Sequence, residues 1–316
     1  MKLFLLIFFL IQFKTHAFDC PTDWKSDSNF NCTFVDYNVT VDYPISSLIK
    51  NYPNQKIITA KIRAGYIEEN LNLPFKGNIL YFEGLGDSMI NHAPLFKKLA
   101  NIGFRVIAFD YMGQGGSSGS MNDTRILDIP NLGMKIFNKF AKDLTNFPKP
   151  IIIGWSTGGL AAYLSAEKIN VKKIILLAPG IVPNVIMGEH NIFKLDFDII
   201  TLNSLNSENY ENGKYNPHLE GIKPRSPLNV PDFAYDLITK SFSARKKKIN
   251  PEIDGIVFHS GEDDTYVDSL KNSYYINILA PHFTEFTFYN SLHEIDNEKK
   301  EISDVAHKKI IEFLSK

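Results

Sequence analysis

The chain has 316 residues, 44% of them hydrophobic and 22% charged, and a formal net charge of −1. This is the balance of a globular protein able to bury a full core, in one large domain or one domain with an insertion. Nothing in the charge points to nucleic acid or a strongly anionic membrane surface as a partner.

The N-terminus differs in kind from the rest. Met1-Lys2 is followed by an unbroken apolar run from Leu3 to Ile11, and Thr15-His16-Ala17 offers a small residue at a cleavage point. The run is far shorter than the ~20 residues needed to cross a bilayer. It reads as a signal peptide over 1–17, which places the mature protein outside the cell or in the periplasm. Asp19 stands where a lipobox before Cys20 would need a small residue, so lipidation is not expected. The only two cysteines, Cys20 and Cys32, follow the cleavage point. In an oxidising compartment they can close a short loop worth ~3 kcal/mol. Asn31, Asn38 and Asn122 head glycosylation sequons, which matter only in a host that uses them.

Residues 18–76 therefore read as a disulfide loop followed by an antiparallel meander. Its short alternating segments include Lys56-Ile57-Ile58-Thr59-Ala60-Lys61-Ile62. From Gly77 the pattern changes. Apolar runs at 78–82, 104–109, 150–153, 173–178, 255–259 and 284–289 alternate with helix-period stretches. Leu95, Phe96, Leu99 and Ile102 mark one helix, with Gly103 as its stop. A second runs over 160–167. Ile302, Val305, Ala306, Ile310 and Phe313 stripe the last. Alternation of this kind predicts an α/β protein with a mostly parallel central sheet and helices on both faces. The core is expected in two parts, 77–180 and 251–316. Between them, 181–250 is too long for an ordinary connection. It is rich in Asn and Pro and contains the alternating Phe193, Leu195, Phe197 and Ile199. We read it as a cap inserted over the carboxyl edge of the sheet, with one apolar face able to line an acyl channel or, equally, to pack on the rest of the cap.

The central motif is Gly154-Trp155-Ser156-Thr157-Gly158, between an apolar strand and a helical stretch. Gly-x-Ser-x-Gly in that context is a nucleophile elbow, a sharp strained turn that exposes the serine hydroxyl. A serine needs a base to take its proton, and on this fold the acid and histidine follow it in that order. Glu262, Asp263 and Asp264 follow the strand at 255–259, and His293 follows the last strand. An oxyanion site needs two backbone N–H groups. Thr157, directly after the nucleophile, supplies one. Leu85, in the glycine-flanked loop Glu83-Gly84-Leu85-Gly86-Asp87-Ser88, supplies the other. The remaining histidines show no metal-ligand spacing on a common helix, which disfavours a zinc hydrolase, and no cofactor is implied.

Taken together, five pieces resemble the monoacylglycerol lipase, lysophospholipase and serine-aminopeptidase-like branch of the α/β-hydrolases. They are Gly84 to Ser88, Phe109 to Ser117, the elbow, Gly261-Glu262-Asp263-Asp264, and His293-Glu294-Ile295-Asp296-Asn297-Glu298. The resemblance runs from Gly77 to the C-terminus and implies the α/β-hydrolase fold. It makes Asp264 the acid, with Asp263 as runner-up. Glu83 and Trp155 stand where the branch often carries histidine, and by the resemblance both line the site. Asp110 reads as a structural turn former. The basic cluster Lys240, Arg245, Lys246, Lys247 and Lys248 reads as a helix C-terminus, with a handle for lipid phosphate as the sharper alternative.

The leading expectation is a serine hydrolase cleaving a small acyl ester or lipid, with transient membrane-surface contact through the cap. Its alternatives are a serine exopeptidase and a secreted binding protein that has lost catalysis.

Overall fold

The structure is a computed structural model, and it describes residues 30–41, 56–69, 73–184 and 230–316. The expected signal peptide, Cys20 and most of the expected cap, including Phe193 to Ile199, lie outside the described residues. Among those described, eight strands form one sheet: β1 (Phe30–Val41), β2 (Lys56–Ile67), β3 (Gly77–Phe82), β4 (Phe104–Phe109), β5 (Ile151–Trp155), β6 (Lys173–Leu177), β7 (Asp254–His259) and β8 (Thr284–Thr287). Their order is β1-β2-β4-β3-β5-β6-β7-β8. From β4 to β8 every neighbour is parallel, and β2 joins β4 antiparallel.

The meander expected as several short segments is two 12-residue strands, paired from Phe30↔Ile67 to Val41↔Lys56. Gly65 does not break the second strand. It lets the first approach closely, since a Cβ there would lie 2.4 Å from the Asn31 carbonyl oxygen.

Among the described residues six helices connect and flank the strands: α1 (Ala93–Ala100), α2 (Asp128–Phe140), α3 (Thr157–Ser165), α4 (Pro231–Ala244), α5 (Ser269–Leu279) and α6 (Lys300–Leu314). The chain steps from β3 to β4 in one direction, then crosses back over β3 to β5. Parallel crossovers are right-handed, so this reversal puts α1 on one face and α2 and α3 on the other. The packing agrees: α1 meets α6, while α2 meets α3 and α3 meets α4. Covered on both faces, the central strands are apolar without alternation. Ile79, Leu80 and Phe82 of β3, Ile152 and Ile153 of β5, and Ile174 to Leu177 of β6 are wholly buried. The same reversal opens a crevice beyond the carboxyl ends of β3 and β5, where open α/β sheets place their sites. The 83–88 loop leaves β3 at that edge, and Ser156 leaves β5.

The antiparallel strands are tied to this edge by a buried ion pair that the sequence did not signal. Arg63 of β2 donates through Nε to Asp110 Oδ2 at 2.5 Å and through Nη2 to Ser88 Oγ at 2.8 Å. Asp110, at the end of β4, also accepts the N–H groups of Met89 and Gly116, both at 2.8 Å. It is the turn former expected from sequence. Gly115 and Gly116 wrap the pair so closely that a Cβ on either would lie 2.5 Å from its atoms. Arg63→Ala leaves the Asp110 carboxylate buried without its cation, so we expect a loss of ~3–5 kcal/mol in stability, read from the urea midpoint.

Candidate active site

The site begins with a backbone constraint. Ser156 sits between β5 and α3 at φ 53° and ψ −117°, a region that L-residues rarely occupy. The turn is closed by Ser156 N–H to the Leu177 carbonyl at 2.9 Å and by Gly180 N–H to the Ser156 carbonyl at 2.8 Å. Both motif glycines are required by contact. A Cβ on Gly154 would stand 2.6 Å from the Gly158 carbonyl oxygen. One on Gly158 would stand 2.3 Å from the Phe82 carbonyl oxygen and 2.5 Å from that of Glu83. The first turn of α3 therefore lies directly against the end of β3. This brings the two expected oxyanion donors onto adjoining segments. Thr157 opens α3, where N–H groups have no partner within the helix. Leu85 follows Glu83 in the loop after β3.

Ser156, Asp264 and His293 come together in one hydrogen-bonded chain. His293 Nε2 is 2.7 Å from Ser156 Oγ, and its Nδ1 is 2.8 Å from Asp264 Oδ2. With the carboxylate ionised, Nδ1–H donates to it and the Nε2 lone pair accepts the serine hydroxyl. Asp264 is buried, whereas Glu262 and Asp263 beside it are exposed. Burial opposes ionisation of Asp264. The neighbouring His293 and hydrogen bonds from His293, Ser260 Oγ and the Tyr266 N–H outweigh it and hold the carboxyl below its usual range. The loops bearing acid and base touch at Gly261, whose N–H reaches the Ser291 carbonyl at 2.9 Å. A Cβ there would meet the Tyr289 carbonyl oxygen at 2.3 Å. Glu298 holds the base loop from below through the Leu292 N–H at 2.6 Å. Ser260 carried no sequence signal of a role.

Glu83 and Trp155 are buried behind these groups and do not line them. The Trp155 indole packs on the His293 ring, with centroids 5.4 Å apart, and its Nε1–H donates to the His293 carbonyl at 3.0 Å. Glu83 Oε1 accepts the Tyr111 N–H at 3.0 Å and Gln114 Nε2 at 2.9 Å. Burial, then the charges of Asp110 and Asp87, push its carboxyl well above the usual range. Gln114 also takes the Gly86 N–H at 2.5 Å and gives to the Gly84 carbonyl at 3.1 Å, pinning the peptide groups on either side of Leu85.

One further cluster has metal-capable groups. Asp87, His92 and Glu294 place a ligand atom each within 4.8 Å of one another. Both ring nitrogens of His92 are already hydrogen-bonded to carboxylates, to Asp87 and Asp296, each at 2.6 Å. The basic cluster lies elsewhere. It runs from the C-terminal part of α4 toward the start of β7, the sheet edge opposite Ser156. There Arg245 stacks on Phe242 and Lys247 pairs with Glu167. A phosphate handle for a ligand at Ser156 is thus out of place.

A family model described as alpha/beta hydrolase fold matches residues 77–207. No curated protein matches the chain. Similar solved structures include a monoacylglycerol lipase from Paleococcus ferrophilus, 18% identical with TM-score 0.63, covering 80% of this chain and 98% of that one. A soluble variant of monoglyceride lipase from Saccharomyces cerevisiae is 16% identical with TM-score 0.64, covering 80% and 91%. A thermostable carboxyl esterase from Bacillus coagulans is 14% identical with TM-score 0.61, covering 90% and 99%. At such identities the likeness is one of fold.

The burial of Asp264 and the exposure of Asp263 separate two neighbouring acids by experiment. Asp264→Asn removes the acceptor that fixes the His293 tautomer, which in the trypsin example costs ~10⁴ in kcat. We expect a loss of that order in hydrolysis of an activated ester, and less than about threefold for Asp263→Asn.

Proposed function

On the α/β-hydrolase fold that this chain adopts, we propose that it is a serine hydrolase cleaving carboxylic esters of single-chain acyl groups, as a lysophospholipase or monoacylglycerol lipase does. The observation that carries this reading is the unbroken path from Ser156 Oγ through His293 to Asp264, set on a strained turn at the switch point of the sheet. His293 Nε2 takes the hydroxyl proton as Oγ attacks the ester carbonyl. The carbonyl oxygen becomes an oxyanion facing the N–H groups of Thr157 and Leu85. Asp264 stabilises the imidazolium so formed. Collapse of the intermediate breaks the bond to the leaving alcohol, which receives the proton from His293, and leaves the acyl group on Ser156. Water, deprotonated by the same base, then releases the acid and restores the serine.

An exopeptidase would need an acid in the pocket to hold a free α-amino group. Of the candidates, Glu83 is fully buried and hydrogen-bonded to Tyr111 and Gln114, which supports the ester reading. Asp196 and Asp198 lie outside the described residues. The fold neighbours named monoacylglycerol lipase and carboxyl esterase support the same side. We further propose export through the 1–17 leader, a Cys20–Cys32 bridge, and transient contact of the cap with a lipid surface. The leader and the bridge rest on sequence alone, as does the cap's part in binding.

Ser156→Ala is expected to abolish fluorophosphonate labelling while unfolding in urea as wild type does. Across p-nitrophenyl esters of rising chain length, kcat/KM should climb about fourfold per methylene until the channel ends, at ~0.8 kcal/mol each. Aminoacyl naphthylamides should be poor substrates. Higher rates on those amides, with no chain-length dependence among esters, would favour the peptidase. Intact mass of the exported protein should give a start near Phe18 and show two alkylatable thiols only after reduction.

A further inference from the structure

His92 is wholly buried at the start of α1, and neither its sequence position nor the proposed chemistry calls for it. It stands 2.6 Å from Asp87, two residues beyond Leu85 in the expected oxyanion loop. It stands 2.6 Å from Asp296, three residues beyond His293. Its ring also packs on Trp155, the residue before Ser156, with centroids 5.4 Å apart. One side chain therefore touches three of the four segments that carry the site, all but the loop bearing Asp264, yet its hydrogen bonds go to none of the reacting residues. A second tie crosses the same seam: Asn297 Nδ2 donates to the Asn91 carbonyl at 3.1 Å.

Two carboxylates at this distance suit a ring that donates from both nitrogens, as an imidazolium does. Burial works against that charge, but Asp296 and Asp87 outweigh it and raise the basicity of His92 well above the ordinary histidine range. Both nitrogens are already engaged by carboxylates, so neither is directed at a metal ion. The cluster is thus built as a clamp.

We propose that the Asp87–His92–Asp296 clamp is a positioning device that sets the oxyanion loop at its working distance from the loop bearing His293. Loss of the clamp lets Leu85 and His293 drift apart. A displacement of about 1 Å in a reacting arrangement can cost ~10²-fold in rate. The clamp is itself wholly buried, so ground-state binding is expected to be spared.

This inference rests on the serine-hydrolase reading, and the test separates the two. Four variants, His92→Gln, Asp87→Asn, Asp296→Asn and the double Asp87→Asn/Asp296→Asn, are assayed on a p-nitrophenyl ester beside Ser156→Ala. Folded protein is quantified from the unfolding baseline of each. Per folded molecule, His92→Gln should lower kcat by ~10²-fold with KM within about threefold of wild type. The two Asn variants should each lose ~10-fold, and the double variant less than their product, because both cut one clamp. If His92→Gln does not fold, Asp296→Asn, which keeps shape and an acceptor, carries the same reading. A merely structural His92 would lower the unfolding midpoint and leave kcat per folded molecule unchanged. That result, or strictly additive losses, would overturn the clamp while Ser156→Ala stays inactive. Undiminished hydrolysis by Ser156→Ala would instead overturn the reading of the site itself.

Discussion

The geometry at the carboxyl edge depends on how closely the first turn of α3 can approach the end of β3. With no side chain at Gly158, the carbonyls of Phe82 and Glu83 can lie where a Cβ would be. That contact sets the distance between the segment carrying Leu85 and the one carrying Ser156 and Thr157. It also forces the serine into positive φ, because the chain must leave β5 and enter α3 without room for a wider turn. A strained conformation persists only when its surroundings over-determine it. Here the Leu177 carbonyl, the Gly180 N–H and the Gly154–Gly158 contact do so together. Strain in the backbone and exposure of the hydroxyl are two results of one packing decision.

Behind that contact the protein holds its loops with buried charge, where an apolar filling would have been cheaper in desolvation. Five carboxyl groups, Glu83, Asp87, Asp110, Glu294 and Asp296, are buried there with two cations, Arg63 and His92. Each cation is placed where chain segments must be kept in register. Arg63 joins the antiparallel strands to the loops after β3 and β4, and His92 joins the loop after β3 to the one after β8. Directional bonds specify a loop's position in a way that apolar contact does not. Loops of this kind have no ladder to define them, so polar anchors substitute for one.

The parallel core, the elbow and the three residues of the hydrogen-bonded chain were legible in the sequence, because each obeys a local rule. Uninterrupted Ile and Leu runs mark doubly covered strands, and Gly-x-Ser-x-Gly has meaning only between a strand and a helix. The choice of Asp264 over Asp263 came from a resemblance, and no local signal would have supplied it. Other features hid for identifiable reasons. In α2, Gly133 interrupts an otherwise regular stripe because Phe82 packs where its Cβ would be. In α5, Leu270, Tyr274 and Ile278 are exposed while Asn272 and Ser269 are buried, so no apolar face marks the helix. Arg63 and His92 were invisible because Asp110 and Asp296, which they join to their own segments, lie 47 and 204 residues away. A charge in a strand looks the same in sequence whether it faces water or an acid.

The surplus of acid over base in this interior makes folding a proton-consuming reaction at neutral pH. Burial, with the charge of Asp87 next, pushes the Glu294 carboxyl up to about 7, and burial likewise holds Glu83 well above the usual carboxylate range. Both groups, and His92, hold protons in the native state that the unfolded chain would give to solvent. Their folded affinities are raised, so the stability they contribute is full at acid pH and is lost as pH climbs past the ordinary carboxylate range toward and beyond 7. The enthalpy of unfolding at neutral pH must then carry a contribution from whichever buffer receives the released protons. That dependence is set by groups outside the Ser156–His293–Asp264 chain.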